Sequence, residues 1–216
     1  PAVVNNIAAQ GNGALRAAVY NGHLEVVNKL LEYQAVRNDI AVWENSALRY
    51  AAGRGHLDIV EMLLRYPAVR NNIAADRNDA LREAAEKGHL GVVNKLLDYP
   101  AVVDNVAAER NYALRRAVFD GHVDVVEKLL EYPAVVANIA AEENYALIFA
   151  AGNGHLDIVK KLLEYPAVVT NIAADRNAAL RSAAGYGHLD IVKVLLEYPA
   201  VVDNAAAGRN YALREA

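Results

Sequence analysis

The 216-residue chain contains no cysteine. Disulfides, zinc–thiolate sites and thiol nucleophiles are therefore excluded. Aliphatic hydroxyls are nearly missing as well: Ser46, Thr170 and Ser182 are the only ones. Serine-hydrolase chemistry and phosphate loops ending in Gly-Lys-Ser/Thr need residues this sequence hardly has. No apolar run approaches the roughly 18 residues that a membrane-spanning helix requires. The net charge is -4, which argues against a sequence-independent hold on a nucleic-acid backbone.

What the sequence does have is a repeat. Gly-His recurs at Gly22-His23, Gly55-His56, Gly88-His89, Gly121-His122, Gly154-His155 and Gly187-His188, every 33 residues. Full units start at Asn12, Asn45, Asn78, Asn111, Asn144 and Asn177, and partial units occupy 1–11 and 210–216. The period covers the chain, so we expect one repeat domain over 1–216. A period of this length denotes a solenoid whose units bury apolar faces against one another.

Each unit reads as helical. In the fourth, Asn111 is expected to cap a first helix over roughly Tyr112 to Phe119, its side chain accepting from free first-turn amides. Gly121 suits the left-handed conformation that ends helices. A second helix carries Val123, Val126, Leu129 and Leu130 at helical spacing. Pro133 cannot continue it but fits the first turn of another. A third, short helix is expected there, with Val135 and Ile139 on one face.

The segment Ala150 to Glu164, AAGNGHLDIVKKLLE, resembles the second half of an ankyrin repeat. The usual Thr-Pro-Leu-His is replaced by Tyr-Ala-Leu-Arg or similar, and the Asp/Gly-rich hairpin by segments such as Asn171-Ile-Ala-Ala-Asp-Arg176. Hairpin turns want residues that accept positive φ, whereas Ile172-Ala173-Ala174 favours helix. The resemblance implies an all-α, ankyrin-like right-handed solenoid in which short helices replace the hairpins. It also implies that recognition falls on the concave face.

Comparing the units with one another separates frame from variation. Places 3, 4 and 7, counted from the asparagine, are always Ala, Leu and Ala, while places 2, 6, 9 and 10 change freely. At about 100° per residue, places 2, 6 and 9 form one stripe opposite the constant positions. The stripe is expected to face solvent. It is rich in rings, which give large contact area at low entropic cost. Candidate partner-binding residues are Tyr20, Tyr50, Arg54, Glu83, Lys87, Tyr112, Arg116, Phe119, Tyr145, Phe149, Ser182 and Tyr186. Ile148 joins them, since the other full units carry Arg at its place. Six further tyrosines, from Tyr33 to Tyr198, keep the repeat period and read as structural.

Competing chemistry fails on geometry. Repeated histidines stand on the order of 10 Å apart in such a stack, too far to share a zinc ion that needs ligands at about 2 Å. Gly53-Arg54-Gly55 and its counterparts lack the strand and third glycine of a dinucleotide loop. No catalytic, cofactor or metal site is expected. The expected function is a non-enzymatic protein-binding scaffold, engineered or consensus-like, with no nucleic-acid or membrane partner. The alternatives are a natural bacterial effector-type ankyrin protein or fragment that binds a host protein, and a structural solenoid that self-assembles end to end through mid-repeat termini.

Overall fold

The computed structural model describes residues 7–207, with side chains as far as Asn204. The chain divides into two compact units, Pro1–Ala108 and Glu109–Ala216. Among the described residues every regular element is a helix. The first unit runs α1 (Ala9–Tyr20), α2 (Leu24–Leu31), α3 (Gln34–Asn38), α4 (Val42–Gly53), α5 (Leu57–Leu63), α6 (Pro67–Asn71), α7 (Ala75–Glu86), α8 (Leu90–Leu97) and α9 (Pro100–Val103). The second runs α10 (Ala108–Asp120), α11 (Val123–Leu130), α12 (Pro133–Ala137), α13 (Ala141–Gly152), α14 (Leu156–Leu162), α15 (Pro166–Thr170), α16 (Ala174–Gly185), α17 (Leu189–Leu196) and α18 (Pro199–Ala207).

The constant small residues set the stacking. In the first unit α1, α4 and α7 lie side by side, and in the second α13 lies against α16. Leu48, Leu81, Leu114 and Leu147 are buried, as are Ala51, Ala84, Ala117 and Ala150. Alanine lets the helices approach closely, and each fully buried leucine contributes about 1.5–3 kcal/mol relative to an exposed one. The second helices form the other layer, burying Val60 and Leu63, Val93 and Leu96, Val126 and Leu129, and Val159 and Leu162.

Gly121 turns the chain between α10 and α11 at φ +81. A Cβ there would stand 2.5 Å from the His155 ring, so the glycine is needed both for its conformation and for a neighbour's approach. His155 uses that approach to donate from Nε2 to the Phe119 carbonyl at 3.0 Å. His188 does the same to Gly152 at 3.0 Å, and His56 to Tyr20 at 3.3 Å. These three histidines thus tie one repeat to the one before it. Pro67, Pro100, Pro133 and Pro166 each open a short third helix, where their missing N–H costs nothing.

Two expectations are corrected at the start of the first helix. The asparagines do not cap through a side-chain oxygen. Asn111 is buried at φ +62, and its Nδ2 donates to the Val135 carbonyl at 2.7 Å, while Oδ1 meets no hydrogen-bond partner. Asn45, Asn78, Asn144 and Asn177 hold Val69, Val102, Val168 and Val201 in the same way. Secondly, positive φ is not absent where the hairpin would lie. Glu109, Arg110 and Asn111 have φ of +51, +56 and +62, one turn of left-handed helix, and the motif recurs at 43–45, 76–78, 142–144 and 175–177. Each such residue costs roughly 1–2 kcal/mol. Side chains offset part of that cost: Arg115 donates to the Glu109 carbonyl at 3.1 Å, and Arg181 to the Asp175 and Arg176 carbonyls at 2.7 and 2.6 Å.

Candidate functional site

The first helices place the variable side chains. At place 6 no residue is buried, and the same holds for places 9 and 10. Place 2 behaves differently. Gly13, Asp79, Tyr112 and Tyr145 are part exposed, but Ser46 and Ala178 are only 1% and 5% exposed. The stripe therefore begins at the edge of the helix contact rather than clear of it. All the candidate residues named above retain some exposure.

In the first unit the stripe builds a depression of about 580 Å³ lined by Tyr20, Arg49, Tyr50, Gly53, Arg54, Glu83, Lys87 and His89. Tyr20 and Tyr50 meet edge to face at 5.8 Å, a favoured arrangement for two ring quadrupoles. The Arg54 guanidinium lies over Tyr20 at 3.9 Å, and Arg49 faces Tyr50 at 5.2 Å. The charge of Arg54 also acts on His56: burial first, then Arg54 and His23, hold that imidazole below its usual 6.5. Gly53 leaves room for Glu83, whose Oε2 would stand 3.1 Å from a Cβ at that position.

The second unit carries a denser ring cluster. Phe119 packs on Phe149 at 5.5 Å, and Tyr145 on Phe149 at 4.0 Å. Arg116 faces Phe119 at 5.5 Å, and Arg115 stands between Tyr112 and Tyr145 at 5.8 and 5.0 Å. Tyr112, Arg115, Arg116, Phe119 and Tyr145 surround a smaller hollow of about 240 Å³. Phe119 is 40% exposed and Tyr186 is 75% exposed. Gly152 leaves space beside Ser182 and Tyr186.

Ile148 is half-buried at the place where Arg115 and Arg181 reach back to the left-handed turn. The same place carries Arg49 and Arg115, which also reach the rings. Arg49 and Arg115 were missed because all full units but the one with Ile148 carry arginine at their place, so they read as frame. The signal that exposes them is their spacing of one residue from place 6, which sets them beside the rings. Of the residues off the stripe, Met62 is buried, while Arg37 and Arg70 donate to the Leu31 and Leu64 carbonyls at the ends of α2 and α5. Trp43 is 59% exposed and lies against Arg16 at 3.7 Å, on the left-handed turn at 43–45. Tyr211, at place 2 of the partial unit 210–216 and so expected on the stripe, lies outside the described residues.

Among the described residues no three His, Asp or Glu side chains gather where they could share a metal ion, and no helix is long and apolar enough to cross a membrane. The site is a solvated array of rings and charges on the first helices.

The comparisons agree with this architecture. The family profile described as ankyrin repeats (3 copies) matches residues 15–107 and again 114–206. The chain belongs to the ankyrin repeat family. Such repeats are generally scaffolds for protein–protein interaction. In fold the chain is similar to the ankyrin repeat domain of human ASB11, with a TM-score of 0.69 and 24% identity over 86% of this chain and 83% of that one. No curated protein sequence matches.

Proposed function

We propose that this chain is a non-enzymatic scaffold that binds a partner protein through the variable places of its first helices. The observation that carries the reading is the stripe itself. Over a nearly constant Ala/Leu frame the variation gathers mainly on outward places, which collect Tyr20, Tyr50 and Arg54 in the first unit and Tyr112, Arg116, Phe119, Tyr145 and Phe149 in the second. Part-exposed rings beside arginine have the composition of binding hot spots. A uniform frame with variation gathered on one surface is also the pattern of an engineered or consensus-like scaffold, because it separates folding from recognition. Glu83, Lys87, Ser182 and Tyr186 extend the surface, and the repeats of 1–216 act as one binding domain.

The test is a pull-down that compares wild type with Tyr112→Ala/Phe119→Ala/Phe149→Ala. These rings are part exposed, so the triple variant keeps its helical circular dichroism and a cooperative melt while losing the captured protein. An unfolded variant would show the rings to be core. A folded variant that captures the same protein as wild type would refute the surface.

A further inference from the structure

Two of the charged side chains that line the depression of the first unit are already matched. Arg49 Nε stands 3.3 Å from Asp79, and Lys87 Nζ stands 2.8 Å from Glu86. Two charges are not. The guanidinium of Arg54 is stacked on Tyr20 at 3.9 Å with no hydrogen-bond or ion-pair partner among the described residues. Glu83 lines the same depression, and its carboxylate likewise has no such partner among them. The two do not pair with each other.

Stacking on Tyr20 restrains the Arg54 plane and leaves its N–H edge for an incoming acceptor. Gly53 admits Glu83 at close range on the neighbouring helix. The T-shaped Tyr20–Tyr50 pair walls the same space with apolar surface. A cation and an anion, both unmatched and set in one ring-lined hollow, complement a partner that carries the opposite pair. A surface of a single sign, such as a nucleic-acid backbone, would meet Glu83 as a repulsion.

We infer that this depression takes a peptide segment bearing both an acidic and a basic side chain, the acid seated on Arg54 and the base on Glu83. The inference rests on the binding role proposed for the first-helix surface and specifies the chemistry of its partner.

The probe is a displayed library of random twelve-residue peptides, selected on the whole chain. The expected winners are enriched over the naive library in peptides holding both Asp or Glu and Lys or Arg. R54E should bind them about tenfold more weakly, the scale of one lost charge pair, and on reselection should exchange the acidic preference for a basic one. Glu83→Gln should lose the basic preference and keep the acidic one. Both positions are solvent-accessible, and circular dichroism melts of the variants check that the fold is kept. Winners without this charge pattern, or winners unchanged by R54E and Glu83→Gln, would overturn the inference, as would a library that yields no winners. If those winners are still lost on Tyr20→Ala/Tyr50→Ala, the binding surface stands and only the charge assignment fails. If they survive that change too, the surface itself is wrong.

Discussion

At the residue scale, what matters is what each conserved place of the repeat touches. Gly121 and Gly187 share nearly the same backbone angle, φ +81 and +79, but a Cβ at Gly121 would strike the His155 ring, whereas one at Gly187 would meet nothing within 4 Å among the described residues. Ala at either place incurs the left-handed penalty, about 1–2 kcal/mol. At Gly121 it also displaces a ring that bonds the Phe119 carbonyl. Gly121→Ala should therefore cost about 1 kcal/mol more than Gly187→Ala in urea unfolding; equal costs would show that the histidine contact adds nothing. Glu142 is the other residue with a distinct test. Its carboxylate bonds Arg110 and also Arg115, the latter at 2.7 Å. The Arg110 bond, with the charge of Arg115 beside it, holds the carboxyl below its ordinary 4.5. A depressed carboxyl stabilises the fold above its unfolded value and loses that contribution as pH falls through the folded one. Melting temperature should thus fall below pH 4.5 more steeply for wild type than for Glu142→Gln. Parallel profiles would contradict the assignment.

At the element scale, the helices were readable and the left-handed turns were not. Gly121 and Pro133 mark where helices stop and restart, and the structure puts α11 and α12 where those residues require. The segment before each first helix gave no such sign. Glu109 and Arg110 have no preference for positive φ; Gly11, at φ +60, and the asparagine that ends each turn do tolerate it, but that asparagine reads equally well as a helix cap. What holds the turn is tertiary: an asparagine pinned to a valine carbonyl 24 residues on, and an arginine returning to the turn's own carbonyls. Side chains that reach across a repeat leave no local pattern. They show only as constancy, which an asparagine cap and a solvated arginine explain equally well. The turn that ends at Asn144 lacks the arginine, because Ile148 stands in its place. Glu143 there has φ +59 and is exposed. Glu143→Gly relieves the left-handed strain at a smaller entropic cost, so it should raise stability by roughly 0.5–1 kcal/mol. A loss of stability would mean that the turn is held by contacts of the glutamate side chain.

At the scale of the whole molecule, each unit repeats one division of labour. Leucine and alanine at fixed places bring helices together, and the places facing away from them are released to vary. The period and that alternation were legible before any coordinate, because both are intrinsic to helical spacing. The clusters were only half legible. The sequence pointed to Tyr112, Phe119, Tyr145 and Phe149, but their joining by Arg115 depends on how one first helix lies against the next. The most direct measurement is hydroxyl-radical footprinting of the chain alone and saturated with its captured partner. We expect protection at Tyr20, Tyr112, Phe119 and Tyr186, with Tyr33, Tyr66 and Tyr132 at the third-helix boundaries unchanged. Protection confined to the boundary tyrosines, with the first-helix rings as reactive as in the free chain, would contradict the account.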